Sequence, residues 1–78
     1  MNNQRLDTFQ SCMIAEGCWD LAGFDPVKLG ADKCEKLFIE ANQHLIDTGL
    51  AWELQGFFGR QATHLIDQGL CHYADTEE

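Results

Sequence analysis

Seven side chains in this 78-residue sequence could bind a metal ion through sulfur or imidazole nitrogen: Cys12, Cys18, Cys34, Cys71, His44, His64 and His72. Their spacing does not favour such a site. Successive cysteines lie 6, 16 and 37 residues apart, and no two histidines are one helical turn apart. Zinc sites instead use closely spaced pairs such as Cys-x-x-Cys. We therefore expect no metal and no cofactor, and we interpret the cysteines as reduced, buried or half-buried thiols. One oxidised pair stays an alternative because their number is even.

Two carboxylates, Asp47 and Asp67, occupy equivalent positions in a repeated segment and could meet in the fold. Paired carboxylates support acid–base chemistry, but here no metal, nucleophile or pocket motif accompanies them. A cysteine could also meet a histidine in space, yet no cysteine lies in a recognisable nucleophile signature. We predict that the protein is not an enzyme, and we assign no catalytic residue.

The segment from residue 52 to residue 60 is the strongest candidate for a binding site. Its glycines allow close approach of the backbone, its aromatic rings offer a large contact area, and Arg60 is the only Lys or Arg in residues 37–78. Tryptophan and arginine are enriched among residues that dominate binding energy at interfaces. The predicted partner-binding residues are Trp52, Gln55, Phe57, Phe58 and Arg60. The structural alternative is that Gly59 permits close helix packing and that Arg60 pairs with Glu53 or Asp67.

A seven-residue segment that occurs twice indicates the elements that carry these residues. Residues 44–50 read His-Leu-Ile-Asp-Thr-Gly-Leu, and residues 64–70 read His-Leu-Ile-Asp-Gln-Gly-Leu. Each copy is typical of the last turn of an amphipathic helix, which ends at a left-handed glycine and is followed by a leucine that packs back on the helix. We expect the histidines of both copies to border helix ends, where a cation is favourable.

The hydrophobic spacing predicts an all-α fold, a small bundle of about three helices over residues 8–16, 32–48 and 57–68. Asp7 with Gln10 and Asp32 with Glu35 fit capping boxes at the first two helices. Residues 25–29 should form a single turn after Asp25-Pro26. The pattern leaves open whether the rest of residues 18–31 is helical or loop, and whether residues 50–55 are extended or helical.

The second helix has an unusually wide apolar face. One stripe comprises Cys34, Leu37, Phe38, Ala41, His44 and Leu45, and Ile39 and Ile46 add a second stripe beside it. Helices of this kind are often packed on two sides. The face therefore predicts contact both with the rest of the domain and with another subunit.

The charge balance restricts the classes of partner. Thirteen acidic residues against five basic residues give a formal net charge of −8. Such a surface repels phosphate, so we expect no direct binding of nucleic acid, while a basic protein partner is possible. The length suits one small domain, residues 1–78, with frayed ends at 1–5 and 74–78. Neither a membrane span nor a signal sequence is evident, which favours the cytoplasm.

Residues 45–60 read LIDTGLAWELQGFFGR and are followed by Ala62, Leu65, Ile66, Gly69, Leu70 and Cys71. This C-terminal half resembles a family of small uncharacterised proteins from bacteriophages and related environmental sequences, which carry an LIDTGLAWxLQGxxGR motif. Residues 23–31 look like an insertion relative to that family. The resemblance implies a phage-like origin and no catalytic residues.

The leading hypothesis is a small acidic interaction or structural module that self-associates through the second helix and the aromatic residues between 52 and 58. The alternative is an acidic regulator that binds and inhibits a host or phage protein, such as a basic nucleic-acid-binding protein.

Overall fold

The computed structural model describes residues 6–54 and 56–74, which form six helices and no strand. The helices are α1 (Thr8–Ala15), α2 (Trp19–Ala22), α3 (Pro26–Leu29), α4 (Ala31–Thr48), α5 (Leu50–Glu53) and α6 (Gly56–Asp67). The all-α prediction is confirmed for this part of the chain, and the three long helices lie where the hydrophobic spacing placed them. Of the ends expected to fray, only Ala74 falls among the described residues. In those residues, no helix has the length and apolar character needed to cross a membrane.

The first helix begins with the predicted capping box. Asp7 accepts a hydrogen bond from the Gln10 backbone N–H at 2.7 Å, and the Gln10 side chain accepts one from the Asp7 N–H at 3.2 Å. Both bonds satisfy backbone donors that have no partner inside the helix. The helix ends before Gly17, whose φ of +84° is typical of a glycine that follows a helix.

The capping box predicted at Asp32 and Glu35 is wrong. The helix α4 begins one residue earlier, at Ala31, with Gly30 as its N-cap and no side-chain cap. Gly30 has a φ of +86°, a conformation that allows the chain to pass directly from α3 into α4. Asp32 consequently lies inside the first turn, where its charge still complements the helix dipole.

The two segments that the pattern left undecided are mostly helical. Residues 18–31 contain the one-turn helices α2 and α3, and α3 starts at the Asp25 cap, which accepts a bond from the Val27 N–H at 3.0 Å. Residues 50–53 form α5, while Leu54 has an extended backbone. The chain therefore reaches α6 by one helical turn, and Gln55 lies outside the described residues.

The long helix α4 lies at the centre of the molecule and packs on two hydrophobic clusters. The first cluster contains Ala15, Leu45, Ile46, Ala51, Phe58, Ala62, Leu65 and Cys71. The second contains Leu6, Ile14, Ala22 and Ala41. Phe38 packs against both, and Ile39 packs against the first. Both apolar stripes of α4 thus contribute to packing within the chain.

Candidate partner-binding surface

The five residues predicted to bind a partner have different environments. Trp52 is 45% exposed and Arg60 is exposed, whereas Phe57 is half-buried. Phe58 is only 5% exposed and belongs to the first cluster, so it supports the surface from beneath and cannot contact a partner in this conformation. Gln55 lies outside the described residues. The surface therefore centres on Trp52 and Arg60.

These two residues line one open groove of about 520 Å³, which we call the α6 groove. Its lining residues are Trp52, Gly56, Gly59, Arg60, Thr63, His64 and Asp67. Most of them share the outer face of α6, because residues three, four or seven apart lie on one side of a helix. The opposite face buries Phe58, Ala62 and Leu65. Core packing therefore fixes which side of α6 is presented to solvent.

Gly59 brings the one-turn helix α5 close to α6. A Cβ atom at this position would lie 3.3 Å from the Ala51 carbonyl oxygen and 3.7 Å from the Trp52 ring. The first distance is tighter than ordinary van der Waals contact, so a larger residue would push α5 away. The structural role expected for Gly59 is confirmed, and its consequence is that the Trp52 ring forms one wall of the groove.

Tyr73 packs against Trp52, the residue that forms that wall, and the sequence pattern did not identify it. Its ring stacks on Trp52 with centroids 5.9 Å apart and planes 27° apart, while the side chain is 62% exposed. The preceding residue, His72, is held by Gln43 of α4: the His72 N–H donates to Gln43 at 3.0 Å, and the Gln43 amide donates to the His72 carbonyl at 2.9 Å. These two bonds tie the segment before Tyr73 to α4 and so help place its ring beside Trp52.

Arg60 does not form the expected ion pair with Glu53 or Asp67, and the structure shows no ion pair for it within residues 6–54 and 56–74. Its guanidinium lies over Gly56, where an added Cβ atom would approach Nη1 to 3.1 Å. Asp67 is two helical turns away on α6, about 10 Å along the axis, which explains why the two side chains do not meet. The groove thus contains one cation and one anion at separate positions.

The histidines of the repeat have different roles. His64 lies in the last turn of α6, as predicted. His44 lies one turn before the end of α4, and its Nε2 is 3.0 Å from the Thr8 hydroxyl of α1. The prediction of a helix-end role for His44 is therefore wrong, because the side chain instead links two helices.

Asp47 and Asp67, the two carboxylates of the repeat, do not share a site. Asp47 lines a separate cavity with His44, whereas Asp67 lines the α6 groove. No group of three His, Cys, Asp or Glu side chains suited to a metal ion occurs in the part of the chain that the structure describes.

All four cysteines, which lie within the described ranges, are free thiols, and Cys71 is buried. Burial raises the pKa of Cys71, and the nearby Asp47 carboxylate raises it further. The pKa of Cys12 is also raised, first by burial and then by Glu16. A reactive cysteine needs the opposite shift, because the thiolate is the nucleophile. These two residues are therefore suited to packing.

Residues 12–77 match one protein family, described as a domain of unknown function, DUF7417. The chain belongs to this family. The DUF7417 match spans α2 to α6 and Tyr73, and so it includes the whole α6 groove, whereas Asp7 and the first turn of α1 lie outside it. The comparison with curated proteins and the comparison with solved structures found no match.

Proposed function

We propose that this DUF7417 protein is a small, non-catalytic interaction module that self-associates through the α6 groove. The observation that carries the proposal is that the exposed Trp52, on which Tyr73 stacks, lines one groove with Arg60, which forms no ion pair with the described residues. Tryptophan, tyrosine and arginine are the side chains most enriched where interfaces gain their binding energy. The LIDTGLAWELQGFFGR segment, which supplies much of the groove, supports a phage-like origin, and we place the module in the cytoplasm.

The charge distribution within residues 37–78 supports this choice of surface. Two copies with a net charge of −8 repel each other, so contact is least unfavourable where the surface carries a cation. In residues 37–78 the only Lys or Arg is Arg60, and it lies in the groove. Small domains of this size also gain stability from a partner subunit.

Light scattering after size-exclusion chromatography, over a wide range of protein concentration, tests the proposal. We expect the wild-type chain to form dimers and Tyr73→Ala to weaken them. The control is Phe9→Ala, because Phe9 is exposed to a similar degree, 59%, but lies on α1 away from the groove. A strictly monomeric wild type, or equal dimerisation of Tyr73→Ala and wild type, would contradict the proposal.

A second candidate function has support from another surface. Leu21 is exposed and lines a cavity of about 370 Å³ together with Trp19, Asp20 and Pro26. An apolar surface with acidic neighbours suits a basic amphipathic segment of another protein, as expected of an acidic regulator. Binding of a basic nucleic-acid-binding protein that weakens with salt and with Leu21→Ala would favour this function. Binding that is unaffected by Leu21→Ala would exclude this surface.

A further inference from the structure

We infer that two copies pair through antiparallel α6 helices, so that Arg60 of each copy lies opposite Asp67 of the other. The inference rests on the self-association proposed above and specifies its geometry. The contact is symmetric about a two-fold axis that passes beside Thr63 and His64.

The outer face of α6 carries a pattern that is complementary to itself. Its exposed residues are Gly56, Arg60, Thr63, His64 and Asp67. Arg60 and Asp67 lie at equal distances from the midpoint between Thr63 and His64, roughly 5 Å along the helix axis in opposite directions. Turning a second helix by 180° about that midpoint therefore places each arginine opposite an aspartate and each threonine opposite a histidine. Two-fold interfaces require this kind of reciprocal contact.

Charge decides the direction of the two helices. A parallel arrangement in register would place Arg60 opposite Arg60 and Asp67 opposite Asp67, which adds repulsion between copies that are already acidic. The antiparallel arrangement replaces both repulsions with attractions. It also brings Arg60 towards the C-terminal half of the partner helix and Asp67 towards its N-terminal half, the ends that helix dipoles favour for a cation and an anion.

The shape of the groove is suited to packing against a second helix. Gly56 has no side chain and Thr63 has a short one, so the middle and the N-terminal end of the outer face permit close approach between helix axes, about 8–10 Å apart. The Arg60 guanidinium lies over Gly56 in the single chain and is not bound to a carboxylate of the described residues. It can therefore turn towards a partner without breaking an ion pair. The Trp52–Tyr73 wall would flank the paired helices.

Charge reversal tests this arrangement. Arg60→Glu alone and Asp67→Arg alone each create two repulsive contacts in a homodimer, so we expect each to raise the dissociation constant about tenfold or more at low salt. An equimolar mixture of the two variants should restore dimerisation to near the wild-type level. In the mixed dimer the new carboxylate faces the new guanidinium, and the unchanged Asp67 of one copy faces the unchanged Arg60 of the other.

This design separates specific pairing from the effect of net charge. Arg60→Glu makes the chain more acidic and Asp67→Arg makes it less acidic, so net charge alone would weaken one homodimer and strengthen the other. Lys36→Glu and Glu35→Arg are matched controls on the exposed side of α4, with the same two changes in charge. We expect both controls to change dimerisation less than threefold.

The outcomes distinguish the two proposals. Dimers that survive both reversals, or single variants that do not recover on mixing, would overturn the antiparallel α6 pair. If Tyr73→Ala still dissociated those dimers, self-association through the groove would stand with another geometry. A wild-type chain that is monomeric at every concentration would overturn both.

Discussion

The two copies of the repeat have nearly the same sequence, but the second copy is more exposed at its histidine, its isoleucine and its final leucine. In the first copy, residues 44–50, Leu45 and Ile46 are fully buried, and His44 contacts Thr8 of α1. In the second copy, residues 64–70, Ile66 is only half-buried, and His64 and Asp67 are exposed in the α6 groove. The first copy holds the fold together at its centre. The second copy also contributes Leu65 to the core, but it exposes His64 beside Arg60 in the α6 groove.

The local helix ends remain similar in both copies. Gly49 and Gly69 have φ values of +83° and +80°, and each donates a hydrogen bond of 3.0 Å to the isoleucine three residues earlier. At Gly69 the end is a complete Schellman motif, because the Leu70 N–H also bonds to the Leu65 carbonyl at 2.9 Å. Local sequence thus sets where each helix stops, whereas packing decides which side chains stay exposed.

The leucines after the glycines show where this similarity ends. Leu50 starts α5 and packs against the first cluster, as expected of a leucine that folds back. Leu70 makes the backbone bond, but its side chain is exposed, so the same expectation is wrong for the second copy. The cause is the continuation of the chain: α5 covers the end of α4, and no helix follows α6 within the described residues.

The largest expected difference between the copies lies at their isoleucines. Ile46→Ala should lower the free energy of unfolding by about 2–5 kcal/mol, because it empties a fully buried site. Ile66→Ala should cost about half as much, since Ile66 already contacts solvent. Urea unfolding followed by circular dichroism measures both values. Equal losses would show that the two copies support the core equally.

Replacing the two glycines should lower the stability of the chain by similar amounts. Gly49→Ala and Gly69→Ala should each cost about 1–2 kcal/mol, because a residue with a Cβ atom is strained at positive φ. No atom lies within 4 Å of an added Cβ at either site, so the cost is conformational and not steric. The same unfolding experiment checks this expectation. A difference above roughly 1 kcal/mol between the two variants would mean that the motif is not a local unit.

Replacing the two histidines should have different effects on the stability of the folded chain. His44→Ala removes the contact with Thr8 and should cost about 1 kcal/mol. His64→Ala should leave the stability of the folded chain within about 0.5 kcal/mol of wild type when both are measured at concentrations that favour monomers. Thr8→Val, which removes the hydroxyl partner, is a matched test. Additive effects of His44→Ala and Thr8→Val in the double variant would contradict a direct interaction.

The smallest expected effect is a dependence of stability on pH, which involves residues in or next to both copies. Cys71 follows the second copy, and its pKa is raised above the ordinary value of 9.0 by burial first and then by Asp47 of the first copy. The folded chain therefore holds this proton more tightly than the unfolded chain. The resulting stabilisation is complete below pH 9.0 and is lost as the pH rises through the folded-state pKa.

Unfolding in urea at several pH values between 7 and 10.5 measures this loss. We expect Asp47→Asn to make the decline with pH shallower, and Cys71→Ala to reduce it further. An unchanged decline in both variants would assign the alkaline sensitivity to other groups.

The sequence was sufficient for the parts of the fold that depend on local chemistry. The Asp7–Gln10 box and the glycines that end α1, α4 and α6 are set by hydrogen bonds within a few residues, so pattern and spacing located these helices. The start of α4 was misplaced because Gly30, with its positive φ, is the N-cap of this helix in place of Asp32. The central position of α4 depends on contacts between segments that are distant in sequence. The wide apolar face of α4 indicated that such contacts exist, but it did not identify the helices that make them.

The candidate site was only half predictable for the same reason. Residue type and composition were enough to select Trp52 and Arg60. The burial of Phe58 depends on the rotation of α6 against α4, and the place of Tyr73 depends on the bonds between Gln43 and His72. Both are tertiary contacts between segments far apart in sequence. His64 and Asp67 were noted as repeated residues, but only the fold shows that they share the groove with Arg60.

The most direct test of the central claim, that the second copy presents an interaction surface, is the molar mass of the wild-type chain in solution. One chain has a mass of 8.8 kDa. We predict that light scattering reports twice this mass at high protein concentration, with a decline towards the mass of a single chain on dilution. A value of 8.8 kDa at every concentration would contradict self-association through the α6 groove.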